Sequence, residues 1–254
     1  MPNYTDEVVI LRGRPLGEAD RILTCFGRQH GKISAVARGV RRTASKFGAR
    51  VEAGNVIDAQ FYTRGHGPAG LDTLTQAVTV HSFAAKMVDD FDVYTMSAAI
   101  LEAADRILEA EPAPLQFAQL VGSLRYLARR EHPAGLVLDA YLLRSLSLAG
   151  WRPTFTDCAR CGKPGPHSRI SLTAGGAVCD DDARSSGAVM YADVDTMRLL
   201  WALLAGNWGV AEASDDGTRA AAHRIVSAYA QFHLERGLRS MAVHDQDRPG
   251  PGVP

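Results

Sequence analysis

The sequence predicts an α+β fold in which a small N-terminal β-barrel precedes a mostly helical domain with a cysteine-bearing insert. Up to about residue 80 the apolar runs are short and rich in β-branched residues, whereas from Ser82 onward they recur with helical spacing. Three cysteines have the spacing of a metal-binding ribbon. The predicted limits are 1–80 for the barrel, 81–243 for the helical domain with the insert at 154–190, and 244–254 for a disordered tail.

Five segments of the first eighty or so residues are predicted to be β-strands. In one of them Ile57, Ala59 and Phe61 alternate with more polar neighbours, which is the period-two pattern of a half-buried strand. Five strands in this length favour an OB-type Greek-key barrel, whose exposed face and loops are a platform for single-stranded nucleic acid. The predicted strand cores are Val8–Leu11, Ile22–Phe26, Lys32–Ala37, Asn55–Tyr62 and Leu74–Val80.

The rest of the chain is predicted to be mainly helical. Apolar residues from Ile100 to Leu108 and from Phe117 to Ala128 recur about every turn, which indicates two amphipathic helices. The segment Leu136–Leu148 is apolar almost all round and stops just before Gly150, which predicts a buried central helix. A last helix is predicted from Thr218 to about Arg239.

Charge is divided unevenly along the chain. The net formal charge is zero, yet residues 1–66 carry eleven basic against six acidic residues, a net of +5, which leaves −5 for the remainder. No acid interrupts Gly27–Arg50, a pattern that points to a polyanion because lysine and arginine contacts to phosphate supply most sequence-independent nucleic-acid affinity. The alternative is a solvated basic loop. The predicted phosphate contacts are Arg28, Lys32, Arg38, Arg41, Arg42, Lys46 and Arg50.

Aromatic side chains on which bases could stack are the second requirement for binding single strands. Phe26, Phe47, Phe61 and Tyr62 lie in or near the predicted barrel. Phe26 and Phe61 occupy strand positions typical of a core, whereas Phe47 stands among basic residues. We therefore expect Phe47 to be an exposed stacking ring.

The cysteines predict a metal centre in the helical domain. Cys158 and Cys161 form a C-x2-C turn, and Cys179 follows after seventeen intervening residues. The usual zinc ribbon would place a fourth cysteine at position 182, where this chain has Asp182. Because zinc accepts carboxylate oxygen in tetrahedral sites, the predicted ligands of one structural zinc ion are Cys158, Cys161, Cys179 and Asp182, in a zinc-ribbon-like insert.

Other interpretations of these residues stay open or are disfavoured. Asp180, Asp181 and His167 are alternative fourth ligands, and a ribbon that has lost its metal is an alternative to the whole site. Adjacent carboxylates point in different directions, which disfavours a magnesium-dependent nuclease at this acidic run. The G-x-G-x-x-G string at 65–70 is interpreted as a hairpin loop. No histidine belongs to a recognisable nucleophile motif, so no catalytic residue is predicted.

Several stretches, in order along residues 4–240, resemble the RecO family of bacterial recombination mediators. They are LGEADRI, HGKISAVARGVRR, SKFGARVEAG, CARCG, GGAVC and YAQFHLERGLRS. The resemblance implies an OB barrel, a helical domain with a zinc-ribbon-like insert, and no catalytic centre. It also implies that the protein binds single-stranded DNA and single-strand-binding protein, anneals complementary strands, and acts with RecR to load the RecA recombinase.

Compartment and competing functions are further expectations. Nothing resembles a secretory signal and no run approaches the ~18 apolar residues of a membrane span, so we expect a cytoplasmic protein, associated with the nucleoid during repair. The competing functions are a zinc-ribbon nucleic-acid-binding module of a transcription or RNA complex and a metal-dependent nuclease. A strand-annealing assay without nucleotide or added metal separates the three.

Overall fold

The computed structural model describes residues 3–63 and 71–234 of the chain. The chain divides into two compact units, the first ending at Arg129 and the second beginning at Arg130. The predicted hairpin at 65–70 and the predicted tail at 244–254 lie outside the described residues, as does the predicted helical stretch 235–239. Within the described part, no helix is both long enough and apolar enough to cross a membrane.

The first unit contains the predicted five-stranded barrel. Its strands close in the order β1-β2-β3-β5-β4, with β3 and β5 parallel and the other neighbours antiparallel. The long first strand pairs with β4 and then with β2, and its register shifts between Ile10 and Arg12. The five-stranded barrel predicted from the sequence is therefore confirmed. The strands are β1 (Asn3–Leu16), β2 (Asp20–Gly27), β3 (Gly31–Ala37), β4 (Val56–Tyr62) and β5 (Asp72–His81).

The barrel interior follows the period-two pattern of its strands. Ile57, Ala59 and Phe61 of β4 are buried, while Asp58 and Tyr62 are exposed. Alternate side chains of β-strands point to opposite faces, so the inward set forms one continuous core. It includes Val8, Ile10, Leu23, Cys25, Ile33, Ala35, Ala37, Val40, Phe47, Val51, Ile57, Ala59, Phe61 and Leu74.

Three helices follow the barrel within the first unit, namely α1 (Ala84–Met87), α2 (Phe91–Ile107) and α3 (Pro114–Arg129). They cover one outer side of the barrel: Phe117 packs against the fully buried Phe26 with ring centroids 6.3 Å apart, and Arg12 Nε lies 2.8 Å from Asp105 Oδ2. The predicted division near residue 80 falls at the end of β5, whereas this compact unit continues to the end of α3.

The second unit contains the central helix and the insert. The predicted buried helix is observed, and it is buried from Leu136 to Leu146 apart from the half-buried Arg144. The final helix is capped by Asp215, whose carboxylate accepts a hydrogen bond from Thr218 N at 2.9 Å, so it begins two residues before the predicted start. The helices are α4 (Ala134–Leu148), α5 (Asp180–Ala183), α6 (Val194–Ala205), α7 (Trp208–Glu212) and α8 (Asp216–His233), and a sheet in the order β7-β6-β8 contains β6 (Arg169–Ser171), β7 (Gly176–Val178) and β8 (Val189–Tyr191).

Candidate nucleic-acid interface and metal centre

The basic residues of the barrel fall into two sets, and the first lies at the turn between β2 and β3. Arg28 Nη1 pairs with Glu7 Oε2 at 3.1 Å, and Lys32 Nζ lies 3.2 Å from Asp105 Oδ1. The buried carboxylate of Asp6 accepts backbone hydrogen bonds from residues 29 and 30 and fixes the turn. Both cations are thus paired with acids of the same unit.

The second set lies on the connection between β3 and β4, residues 38–55, which we call the β3–β4 segment. Three of its cations donate to backbone carbonyls: Arg41 Nη1 to Gly17 O at 3.2 Å, Lys46 Nζ to Thr75 O at 2.9 Å and Arg50 Nη1 to Lys46 O at 2.6 Å. The side chains of Arg38 and Arg42 are exposed and make no hydrogen bond or ion pair with any residue that the structure describes. A carbonyl oxygen orients a cation without cancelling its charge, so these positive charges stay available to an anion.

One further cation belongs with this set, and the sequence pattern did not predict it. Arg14 of β1 pairs in register with Ile22 of β2, which in turn pairs with Val36 of β3. Because residues directly opposite one another share a face, Arg14 lies on the outer side of these strands, away from the core residues Leu23 and Ala35. The alternation Arg12-x-Arg14 was the available signal, but the predicted strand ended at Leu11 and left both arginines outside it.

The predicted stacking ring at Phe47 is wrong. Its side chain is only 1% exposed and belongs to the barrel core with Val40 and Val51 of the same segment. Burial of apolar surface stabilises the connection against the barrel, whereas an exposed ring would forgo this free energy. Lys46 Nζ lies 5.0 Å from the centroid of the Phe47 ring, so the two neighbours are in contact while only the cation faces outward.

We call Arg14, Arg38, Arg41, Arg42, Lys46 and Arg50 the open basic set. None of these six cations pairs with a carboxylate in the described ranges 3–63 and 71–234. The structure therefore separates the seven basic residues predicted from the sequence. Arg28 and Lys32 pair with acids of the same unit, and the remaining five, joined by Arg14, are positively charged groups that face solvent.

The insert in the second unit brings the four predicted metal ligands together. The C-x2-C turn is closed by hydrogen bonds from Cys158 N to Lys163 O and from Gly162 N to Cys158 O, both 2.9 Å. Gly162 has φ +73°, a left-handed conformation that glycine adopts without strain. Cys179 precedes α5 and Asp182 lies within its single turn, so both side chains face the C-x2-C turn.

The four ligand atoms lie close together, and one sulfur–sulfur distance matches that of a tetrahedral zinc site. All four lie within 4.8 Å of one another, and the Sγ atoms of Cys161 and Cys179 are 3.8 Å apart. Zinc–sulfur bonds of about 2.3 Å at tetrahedral angles place two sulfurs about 3.8 Å apart. Asp182 Oδ2 lies 3.1 Å from the Cys158 Sγ and 3.3 Å from the Cys179 Sγ. Cys158, Cys161, Cys179 and Asp182 are thus close enough to hold one metal ion.

Hydrogen bonds within this cluster also shift its acidities. Hydrogen bonds from the thiols, that of Cys161 first, lower the pKa of Asp182 to about 2, so the carboxylate is ionised at neutral pH. The same carboxylate is the main reason why the pKa of the Cys161 thiol is raised to about 12.

The alternative fourth ligands are occupied elsewhere. Asp180 pairs with Arg169 at 3.3 Å and Asp181 pairs with Arg184 at 3.3 Å, while His167 Nε2 lies 2.9 Å from Lys163 O. Neighbouring positions on one helical turn point in different directions, so only Asp182 faces the thiols. The three adjacent acids therefore do not converge on a common cation, as expected from their adjacency in the sequence.

Comparison with known proteins gives a consistent result over nearly the whole chain. A family model described as "Recombination protein O N terminal" matches residues 1–83, and one described as "Recombination protein O C terminal" matches residues 88–242. The chain is 48% identical to the DNA repair protein RecO of Streptomyces coelicolor over 245 residues, which cover 95% of this chain and 98% of that protein. It is 47% identical to the RecO protein of Streptomyces griseus and 45% identical to that of Thermobifida fusca, each over 245 residues and 98% of the relative.

Proposed function

Because this chain belongs to the RecO family of DNA repair proteins, we propose that its barrel binds single-stranded DNA through the open basic set. The observation that carries this proposal is that these six exposed cations are neutralised by no acid of the described residues, whereas Arg28 and Lys32 are paired. Phosphate binding releases condensed counterions, and an unpaired cation gains this free energy without first breaking an internal ion pair.

Annealing of complementary strands follows from the same surface. Two single strands repel each other through their phosphates, and a protein that neutralises phosphates on both lowers this repulsion. Such a reaction needs no nucleotide and breaks no covalent bond. We therefore propose a non-enzymatic mediator that works on the bacterial nucleoid in the cytoplasm, with RecR, single-strand-binding protein and, indirectly, the RecA recombinase as partners.

For the insert we propose one structural zinc ion held by Cys158, Cys161, Cys179 and Asp182. When bound, the ion would cross-link the C-x2-C turn to the start of α5. Thiolate sulfur suits zinc, and a carboxylate oxygen completes a four-coordinate site that leaves no position for a reacting water. The contribution of this chain is to hold the four ligand atoms close together in a small apolar surrounding that includes Val178 and Ala183.

The test is a titration of fluorescent single strands with the full-length protein at several salt concentrations, followed by an annealing assay with two complementary strands. We expect binding that weakens as salt rises, with a log–log slope of about −0.7 for each phosphate contact, and annealing without nucleotide. Binding to one RNA or duplex sequence without annealing would instead support a zinc-ribbon module of a transcription or RNA complex. Cleavage that requires magnesium would support a nuclease.

A further inference from the structure

The short turn between β1 and β2, residues 17–19, and the first residue of β2 are tied to the β3–β4 segment by three hydrogen bonds. Asp20 Oδ1 accepts a hydrogen bond from Gly39 N at 2.7 Å, the shortest of the three. Ala19 O accepts from Arg41 N at 2.9 Å, and Gly17 O accepts from Arg41 Nη1 at 3.2 Å. Only the first of these bonds has a side-chain acceptor. A substitution at Asp20 therefore removes this bond and leaves the backbone acceptors Ala19 O and Gly17 O in place.

The residue that this carboxylate holds lies between two cations of the open basic set. Gly39 has φ +66°, and its carbonyl accepts a hydrogen bond from Arg42 N at 3.1 Å, which closes a tight turn. Arg38 precedes this glycine directly. The two arginines whose side chains form no hydrogen bond or ion pair with a described residue therefore project from a backbone turn whose amide is fixed by Asp20.

We propose that Asp20 is a positioning residue for DNA binding: its carboxylate holds the Gly39 turn so that Arg38 and Arg42 are presented to phosphates in one arrangement. This inference rests on the proposed function of the barrel. A negative charge beside a phosphate-binding surface lowers affinity by repulsion, so simple electrostatics predicts that removing Asp20 strengthens binding. If Asp20 positions the turn, its removal should instead weaken DNA binding. A turn that is not held in place must lose conformational freedom when it binds DNA.

The test compares three variants of the full-length protein: Asp20→Ala, Asp20→Asn and Glu18→Gln. Asparagine keeps an oxygen that can accept from Gly39 N but removes the charge. Glu18 is an exposed acid of the same turn whose side chain forms no hydrogen bond or ion pair with a described residue, so its variant measures the charge effect alone. Affinity for a fluorescent oligothymidine is measured against salt concentration, and hydrogen–deuterium exchange at the Gly39 amide reports the hydrogen bond directly.

We expect Asp20→Ala to weaken binding about three- to tenfold, the worth of one hydrogen bond. The magnitude of the salt slope should fall by about 0.7 for each phosphate that is no longer neutralised. Exchange at Gly39 should rise in this variant. Asp20→Asn should bind at least as tightly as the parent protein, and Glu18→Gln somewhat more tightly.

Two results overturn the proposal. In the first, Asp20→Ala binds as tightly as Glu18→Gln, so that the charge effect is all that Asp20 contributes. In the second, Asp20→Asn loses as much affinity as Asp20→Ala, so that the charge and not the acceptor is required. A parent protein that shows no salt-dependent binding contradicts the proposed function itself, while exchange at Gly39 still reports whether Asp20 holds the turn.

Discussion

The barrel and the cysteine-bearing insert arrange their polar groups in opposite ways. In the barrel, the open basic set extends outward, and the side chains of two members, Arg38 and Arg42, have no hydrogen-bond or ion-pair partner among the described residues. In the insert, the side chains of Asp182 and three cysteines converge within 4.8 Å and hydrogen-bond to one another. A surface for a large polyanion is therefore marked by charges that the protein leaves uncompensated, and a site for a small cation is marked by groups that converge.

This difference has a consequence for experiments. Converging groups are interdependent, so the loss of one ligand should remove the whole metal site. Dispersed cations act nearly independently, so each loss should lower DNA affinity by a similar factor. Changes in both regions test this contrast.

Replacing Cys158 by serine should abolish metal binding. Cys158 Sγ donates to Asp182 and accepts from Cys179 N at 3.4 Å, so its loss opens the centre of the cluster. Structural zinc contributes on the order of 10 kcal/mol to isolated finger peptides, so residues 154–190 should become sensitive to protease. Metal content by mass spectrometry and limited proteolysis measure this. Cys25→Ala in the barrel core is the matched control and should keep one equivalent of metal. If Cys158→Ser also lost DNA binding, the metal site and the DNA-binding surface would not be independent.

Replacing Arg14, Arg38 and Arg42 together by alanine should weaken single-stranded DNA binding on the order of 100-fold at 0.1 M salt. Each phosphate contact contributes a slope of about 0.7, and three contacts give about two logarithmic units at that concentration. Fluorescence anisotropy at several salt concentrations checks both numbers. The matched control is Arg28→Ala, which removes a cation already paired with Glu7 and should change affinity less than about twofold. Equal losses in both proteins would show that internal pairing does not decide which cations bind DNA.

Ending the chain at residue 80 should destabilise the barrel relative to a chain that ends at Arg129. The shorter fragment lacks α2 and α3, so it exposes Phe26 and leaves Lys32 without Asp105. Exposure of a fully buried phenylalanine alone costs about 2–3 kcal/mol. Urea unfolding of the two fragments compares their stabilities, and both should bind DNA weakly where folded. Equal stabilities would mean that the helices add nothing to the barrel.

Replacing Asp182 by cysteine should raise zinc affinity about tenfold or more, because a fourth soft sulfur replaces a harder oxygen. Competition with a chromophoric chelator measures the change, and protease resistance of the insert should rise with it. Asp181→Asn, at a neighbouring acid that pairs with Arg184, is the control and should leave zinc affinity unchanged. If the parent protein purified from zinc-supplemented medium has no zinc while Asp182→Cys has one equivalent, the insert is a metal-free remnant.

Local pattern determined much of this molecule. Strand alternation such as that of Ile57, Ala59 and Phe61 predicted the five strands, because side-chain direction along a strand depends only on neighbouring residues. The ligand set was also visible locally, because Cys158 and Cys161 lie within one turn of the chain, as do Cys179 and Asp182. The four groups meet as predicted. The basic segment and the resemblance to the RecO family were also visible in the sequence alone.

The tertiary structure alone decided which charges are open and which rings are buried. Glu7 and Asp105 pair with Arg28 and Lys32 from 21 and 73 positions away, distances over which periodicity carries no information. Arg14 shares a face with Val36 only through the register of three strands. Phe47 lies in a basic loop by sequence, yet the closed barrel provides an apolar interior where its ring is buried. Long-range pairing depends on how the barrel closes, and closure is a property of all five strands together.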